Sequence, residues 1–300
     1  MDPVHLPDAV VDDRTLSGAE ARPDAVADWL IEIPHGATRA AHYHALAGRL
    51  ASPLPDGLID FFFVNTDVGA PELAVALAER LIAARPTNKV RILTARVPRT
   101  FIDFNRVIDL DAAAYKAGGV TPGVAPYISE QADLELLRGL HRVYADLSAL
   151  AFEQVCGAGG FGLMLHTYAP RSVDVAVDAD IVASLRHAYR PEIEPTWPLR
   201  PEVDLIARDL DGRLMADGAR VDAVVAAMAA ADLDAAISRT YPMHPSTLAY
   251  RHAARFPAST LCVEVRRDLL AEPFSPFEEM NIGAARVARI ATALCAGLLA

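Results

Sequence analysis

Four residues of the kinds that hold metals or move protons each follow or close a short apolar run. His35 follows Ile31–Ile33, Asp67 follows Phe61–Val64, His166 follows Leu163–Leu165, and Glu264 closes Leu261–Val263. Two imidazoles and one carboxylate make a three-ligand catalytic zinc set with a position left open for water. A further acid kept off the metal can take a proton from that water. A lone histidine at the end of a strand is more often a structural hydrogen-bonding group, but four such residues in equivalent places shift that weighting toward chemistry. The stretch Ala95–Arg106 adds Arg99, Asp103, Asn105 and Arg106. A guanidinium offers a planar fork of donors and an amide adds directional bonds, so Asn105 and Arg106 together can grip a carboxylate. The plainer reading is a surface salt bridge from Arg106 to Asp103 or Asp109.

The elements that must position these residues follow from periodicity and turn chemistry. Apolar runs at Trp29–Ile33, Leu58–Val64, Val90–Leu93, Phe161–Leu165 and Thr260–Val265 are expected as strands. In Ala95–Arg106, Ile102 and Phe104 alternate with Asp103 and Asn105, so an extended segment is expected to end or turn near Asn105. Helices are expected from Pro71, over Glu130–Val155, over Val221–Ile237 and over Phe277–Leu299. Gly118–Tyr127 reads as a loop, and the four prolines of Tyr189–Pro201 mark an irregular excursion. Strands alternating with helices imply an α/β three-layer sandwich with a mixed, largely parallel central sheet. Residues 1–25 read as a polar N-terminal arm and 26–300 as a single domain. If the strands are parallel, His35, Asp67, His166 and Glu264 converge at their carboxyl ends, where open α/β sheets bind ligands, with Asn105 and Arg106 beside them.

Composition narrows the function classes. A formal charge of −11 and a pI near 5.2 argue against nucleic acid as a partner. Cys156, Cys262 and Cys295 are odd in number and lack a CxxC spacing, which suits buried reduced thiols better than a disulfide frame. The first 22 residues lack the apolar centre of a signal peptide, and no uncharged stretch reaches the length of a membrane span. A cytoplasmic protein with no membrane partner is expected.

Taken together, these motifs resemble the N-formylglutamate amidohydrolase family, itself related to zinc carboxypeptidases and aspartoacylase. The resemblance rests on Pro34-His35-Gly36, Asn65-Thr66-Asp67, the Ala95–Arg106 block, Leu165-His166-Thr167, and Glu264 with Arg267 three residues on. It runs in family order from about residue 30 to 275, and the Arg99-to-Arg106 block is its most specific part. It implies a zinc-carboxypeptidase-like fold and a Zn2+ held by His35, Asp67 and His166. It also implies Glu264 as the base that activates water, and Asn105 and Arg106, with Arg99 nearby, as the site for a substrate carboxylate. The implied substrate is a small anionic N-acyl amino acid, N-formyl-L-glutamate first, hydrolysed to formate and glutamate as in histidine degradation.

The sequence departs from the family pattern in three places. Gly36 directly follows His35, Thr167-Tyr168 follows His166, and the HxxE pair of carboxypeptidases is absent because Thr38 lies three residues after His35. The carboxylate ligand therefore stays open between Asp67, Glu72 and Glu32, and Asp67 could instead cap the helix that follows it. His244 and Arg267 are candidates for the substrate pocket, Arg267 for a structural role as well. His42 and His44 form an HxH that reads as surface, while His141 and His187 read as structural. Two rivals follow: another N-acyl amino acid or small peptide as substrate, and a non-catalytic binding protein that keeps the fold without metal.

Overall fold

The computed structural model describes residues 10–108 and 121–300. Asp109 and the Gly118–Val120 part of the expected loop lie outside the described residues. A seven-stranded sheet runs through the molecule in the order β1-β3-β2-β4-β7-β5-β6. The strands are β1 (Val11–Ser17), β2 (Trp29–Ile33), β3 (Lys89–Ala95), β4 (Phe161–Tyr168), β5 (Val203–Leu205), β6 (Ala235–Ile237) and β7 (Thr260–Arg266). The four central strands β3, β2, β4 and β7 are mutually parallel, whereas β1 pairs antiparallel with β3 and β5 pairs antiparallel with β7. The mixed, largely parallel sheet is thus as expected.

Eight helices are described: α1 (Ala40–Ala47), α2 (Ile59–Asn65), α3 (Ala70–Ala84), α4 (Gln131–Cys156), α5 (Ile181–Ala188), α6 (Gly218–Ala230), α7 (Leu248–Arg255) and α8 (Ala284–Leu299). They cover both faces of the sheet. Side chains along a strand alternate between faces, and the central strands obey this with different chemistry on each side. Ile31, Ile33, Leu163, Leu165, Val263 and Val265 point into one apolar core with α3, α6 and α8. Leu30, Met164 and Cys262 point into the other core, with α2 and α4. By the same alternation Glu32, His166 and Glu264 face the α4 side.

Five elements differ from expectation. Leu58–Val64 forms helix α2 instead of a strand. Aromatic and aliphatic residues fill this run without a clear period, and Phe61, Phe62 and Phe63 are all buried, so length and composition alone do not separate helix from strand. β3 ends at Ala95, and Arg96–Ile108 continues as turns and isolated bridges rather than as an extended strand reaching Asn105. The polar N-terminal segment contributes β1, which closes one sheet edge with a full register from Val11↔Ala95 to Ser17↔Lys89. Helix α6 stops at Ala230, and Ala235–Ile237 becomes the edge strand β6. The closing helix begins at Ala284, seven residues later than expected. The stretch Ile59–Ala84 is long and apolar enough by composition to cross a membrane. Here it is α2 and α3, separated by a turn at Thr66–Gly69 and mostly buried in the two cores.

Candidate metal and catalytic site

The loop after β2 carries His35. Its neighbour Gly36 passes so close to β3 that a Cβ there would lie 2.3 Å from Thr94 Cγ2, so a side chain at 36 would push His35 out of place. Asp67 lies in the turn between α2 and α3. Its N–H donates to the His35 carbonyl at 3.2 Å, and Thr66 Oγ1 donates to the Ala37 carbonyl at 2.7 Å. These bonds clip the two loops together. Gly69, at φ +84°, then turns the chain into α3; few side chains tolerate that left-handed conformation. Asp67 does not cap α3, whose N-cap is Gly69.

The Asp67 carboxylate faces both histidines. Its Oδ2 lies 3.3 Å from His35 Nδ1 and 2.9 Å from His166 Nδ1. Each of the three residues offers one ligand atom, all within 4.8 Å of one another, and all three residues are buried. Ligands spaced around one tetrahedral zinc ion sit roughly 3.3–3.6 Å apart, so this donor set fits such an ion with little rearrangement. His35 uses its other nitrogen, Nε2, to meet Asp103 Oδ1 at 2.7 Å. A carboxylate on the far side of a ligating imidazole fixes the ring and its tautomer. Among the described residues this is the one cluster of three metal-type side chains. Glu72 instead pairs with Arg39 at 2.6 Å, and Glu32 accepts from Tyr144 at 2.5 Å and Ser148 at 3.1 Å. Glu32 is therefore occupied elsewhere, and Glu72, whose Oε2 has no partner among the described residues, lies outside the His35–Asp67–His166 cluster.

Protonation follows from the close packing. Burial alone would raise the Asp67 carboxyl, but the His35 charge and the hydrogen bonds from His166 and His35 hold it below the ordinary carboxylate range. Burial would lower His166, yet its hydrogen bond to Asp67 and the Asp67 charge push it up to about 9.

Glu264 stands beside His166 in the parallel register of β4 and β7. Its Oε1 accepts a hydrogen bond from the Tyr241 hydroxyl, whereas its buried Oε2 has no partner among the described residues. Burial raises the Glu264 carboxyl above its usual value, against the lowering effect of His166. A general base works best with a pKa moved toward the operating pH. His166 Nε2 is likewise buried without a partner among the described residues.

The Arg99–Arg106 block wraps around Asp103. Arg99 donates from Nε to Asp103 Oδ2 at 3.1 Å, and the Asn105 N–H donates to Asp103 Oδ1 at 2.9 Å. Arg106 Nε lies 3.8 Å from Asp103 Oδ2 and has no hydrogen-bond partner among the described residues. Burial would raise Asp103, but Arg99, Arg106 and His35 hold it well below the usual range, so it stays ionised. The Asn105 side-chain oxygen accepts from Ala249 N at 3.0 Å, which anchors it to the start of α7. His244 meets Ser246 Oγ at 2.7 Å through Nδ1; burial and Arg106 lower its pKa, which favours a neutral ring.

A cavity of about 560 Å³ opens over these residues, and His35, Arg99, Asn105, Arg106, His166, His244, Glu264 and Arg267 all border it. Arg267 is almost wholly buried, with its guanidinium committed to the protein. It donates to the Val64 and Thr167 carbonyls and lies 3.7 Å from Asp67 Oδ1. In this position it ties β7 to α2 and β4 and steadies Asp67. Two further residues join the site: Asp103, which the sequence offers only as a salt-bridge partner of Arg106, and Tyr241. The alternation in Ala95–Arg106 sets Asp103 beside Asn105, which was a usable signal for Asp103. Nothing local marks Tyr241.

Among the remaining histidines, His42 Nδ1 accepts from Arg39 N at 3.3 Å, and His44 and His187 are exposed. His141 is buried and meets the Arg106 carbonyl at 2.6 Å. All three cysteines are free and buried.

No sequence-family model matches the chain, and no curated protein matches it by sequence. Solved structures do match. N-formylglutamate amidohydrolase from Ralstonia eutropha JMP134 superposes with a TM-score of 0.58 at 18% identity, over 96% of each chain. The gene product Atu2144 from Agrobacterium tumefaciens gives 0.56 at 17% identity, over 96% of this chain and 93% of that one. A metallo-carboxypeptidase from Burkholderia cenocepacia matches at only 0.38 and 13% identity, covering 98% of this chain and 65% of the other, too weak to carry an argument. The chain has the α/β fold of the N-formylglutamate amidohydrolase structure.

Proposed function

We propose that this protein is a metal-dependent amidohydrolase acting on N-acyl amino acids, with zinc as the metal and N-formyl-L-glutamate as the first substrate to test. The observation that carries the reading is the pairing of a buried His35–Asp67–His166 donor set with an unpartnered, pKa-raised Glu264 oxygen on the adjacent strand. A metal held by His35, Asp67 and His166 would supply Lewis-acid polarisation of the scissile carbonyl and of water.

The chain's own groups divide the remaining work. Glu264 Oε2 accepts a proton from the attacking water and returns it to the leaving nitrogen as the C–N bond breaks, giving a carboxylate and an amine. The Tyr241 hydroxyl holds the other Glu264 oxygen in place. Arg106 and Asn105 take the substrate carboxylate, with Arg99 contributing charge through the shared Asp103. His244, kept neutral, offers its second ring nitrogen to the substrate. Asp103 and Arg267 act as positioning residues for His35 and Asp67.

Metal analysis of the purified protein, paired with hydrolysis assays before and after chelation, tests this reading. Near-stoichiometric zinc, activity lost on chelation and activity regained on adding zinc are expected. Absence of bound metal with no activity after zinc addition would leave a non-catalytic binding protein as the better description.

A further inference from the structure

We propose that the site takes an amide with one carboxylate and an apolar group of several carbons, in preference to a two-carboxylate substrate such as N-formylglutamate. This inference rests on the amidohydrolase reading and adds the class of substrate. The cavity, at about 560 Å³, falls in the roughly 300–1,000 Å³ range of sites that enclose drug-sized ligands. A formyl group would bring it a single carbon.

One wall of the cavity is built for hydrocarbon. Between Arg171 and α5 the chain has no regular secondary structure, with Val173, Val175 and Val177 half-buried and bordering the cavity while Asp174, Ala176 and Asp178 face solvent. This is the alternation of a strand, yet the segment belongs to no sheet. Its start is tied by Ser172 N donating to the Pro198 carbonyl at 2.9 Å and by the Arg171↔Leu199 bridge, and its end runs into α5. The valines continue an apolar surface with Phe61 and Leu185.

The charges favour one carboxylate. Arg171 donates to the Pro195 and Trp197 carbonyls, which pins the strap. Arg200 donates to Ser172 Oγ and the Ala169 carbonyl and lies over the Tyr168 ring. Arg267 is lashed to backbone, and Arg99 is paired with Asp103. Of the arginines bordering the cavity, Arg106 is the one with a buried nitrogen that has no partner among the described residues. A second substrate carboxylate placed against the Val173, Val175 and Val177 wall would be desolvated without a partner there, which disfavours it.

The test is a chain-length series. N-acetyl-, N-butanoyl-, N-hexanoyl- and N-octanoylglycine vary the acyl side, and N-formylalanine and N-formylleucine vary the amino-acid side, with N-formylglutamate as reference. Each is assayed for hydrolysis with zinc and for calorimetric binding to the chelated protein. One of the two series should gain about fourfold per added methylene until the cavity is filled, and which series rises locates the apolar group. Val175→Asp, checked for an unchanged melting profile, should flatten that series, and the shape-preserving Val175→Thr should flatten it in part. Flat series in both readouts, with N-formylglutamate the best compound, would overturn the inference and leave the amidohydrolase reading standing. Length-dependent binding without cleavage of any compound would keep the apolar site and overturn that reading. A compound set neither bound nor cleaved would overturn both.

Discussion

The two faces of the central sheet use the same strands for opposite purposes. On the side of α3, α6 and α8, the inward residues of β2, β4 and β7 are aliphatic or aromatic apart from the buried Thr167, and α3 meets them with Leu73, Leu77 and Leu81. On the α4 side the intervening positions include Glu32, His166 and Glu264, all buried. Burying polar groups costs stability unless each is paired. Here Glu32 is satisfied by Tyr144 and Ser148, whereas Glu264 and His166 each keep one buried atom without a partner among the described residues. Both faces carry an apolar core, and the α4 face also holds buried polar atoms that have no partner among the described residues, at some cost in stability. Substitutions in the core on the α3, α6 and α8 side should therefore change stability and leave the proposed activity alone.

The largest expected effect is at Glu264. Glu264→Gln should lower hydrolysis about 10²–10⁴-fold while leaving zinc content intact. Its melting temperature should stay equal or rise, because burial disfavours the charged form. Unchanged turnover would remove Glu264 from the reaction. Leu77→Ala, on the opposite face and fully buried, should cost about 2–5 kcal/mol in urea denaturation with turnover per folded molecule preserved. A loss of turnover without loss of stability would contradict the division between faces.

The pH response of the chelated protein sharpens the same contrast. His166 is raised to about 9 by Asp67, so its pairing stabilises fully below the unfolded value near 6.5. That contribution, at most about 3 kcal/mol, is lost as pH rises from there through about 9. Denaturation curves between these limits should show the decline. Zinc-loaded protein should not, since a coordinated imidazole is already neutral. A matching decline with zinc bound would place His166 off the metal. The smallest effect is expected at Arg106. Arg106→Ala should raise KM for substrates with a free carboxylate by roughly tenfold to a hundredfold, the worth of a charge-assisted bond. An equal loss on an uncharged analogue would show that Arg106 does not read the carboxylate.

Much of this site could be read in the sequence because the residues proposed for it sit beside strong local signals. The apolar runs before His35 and His166, and the one around Glu264, are real strands in parallel register, and Pro34 and Gly36 mark a real turn. Asp67 shows the opposite case. The run before it is a helix, yet Asp67 reaches the histidines because its backbone is clipped to the His35 carbonyl, a contact between loops that no local pattern encodes. The same limit hid β1, whose polar residues pair through backbone along the sheet edge, and β5 and β6, three residues each. The Asp103–His35 bond spans 68 positions. Sequence suggested Asp103 as a salt-bridge partner for Arg106; only the folded chain brings it against the imidazole.

That one carboxylate touches a residue proposed to hold the metal and the arginines proposed to hold the substrate. Anything that draws Arg99 or Arg106 toward a ligand changes the charge balance felt by His35 through Asp103. The two binding events then share a free energy, and linkage requires their influence to be mutual. By whatever factor zinc tightens a carboxylate ligand, that ligand must tighten zinc.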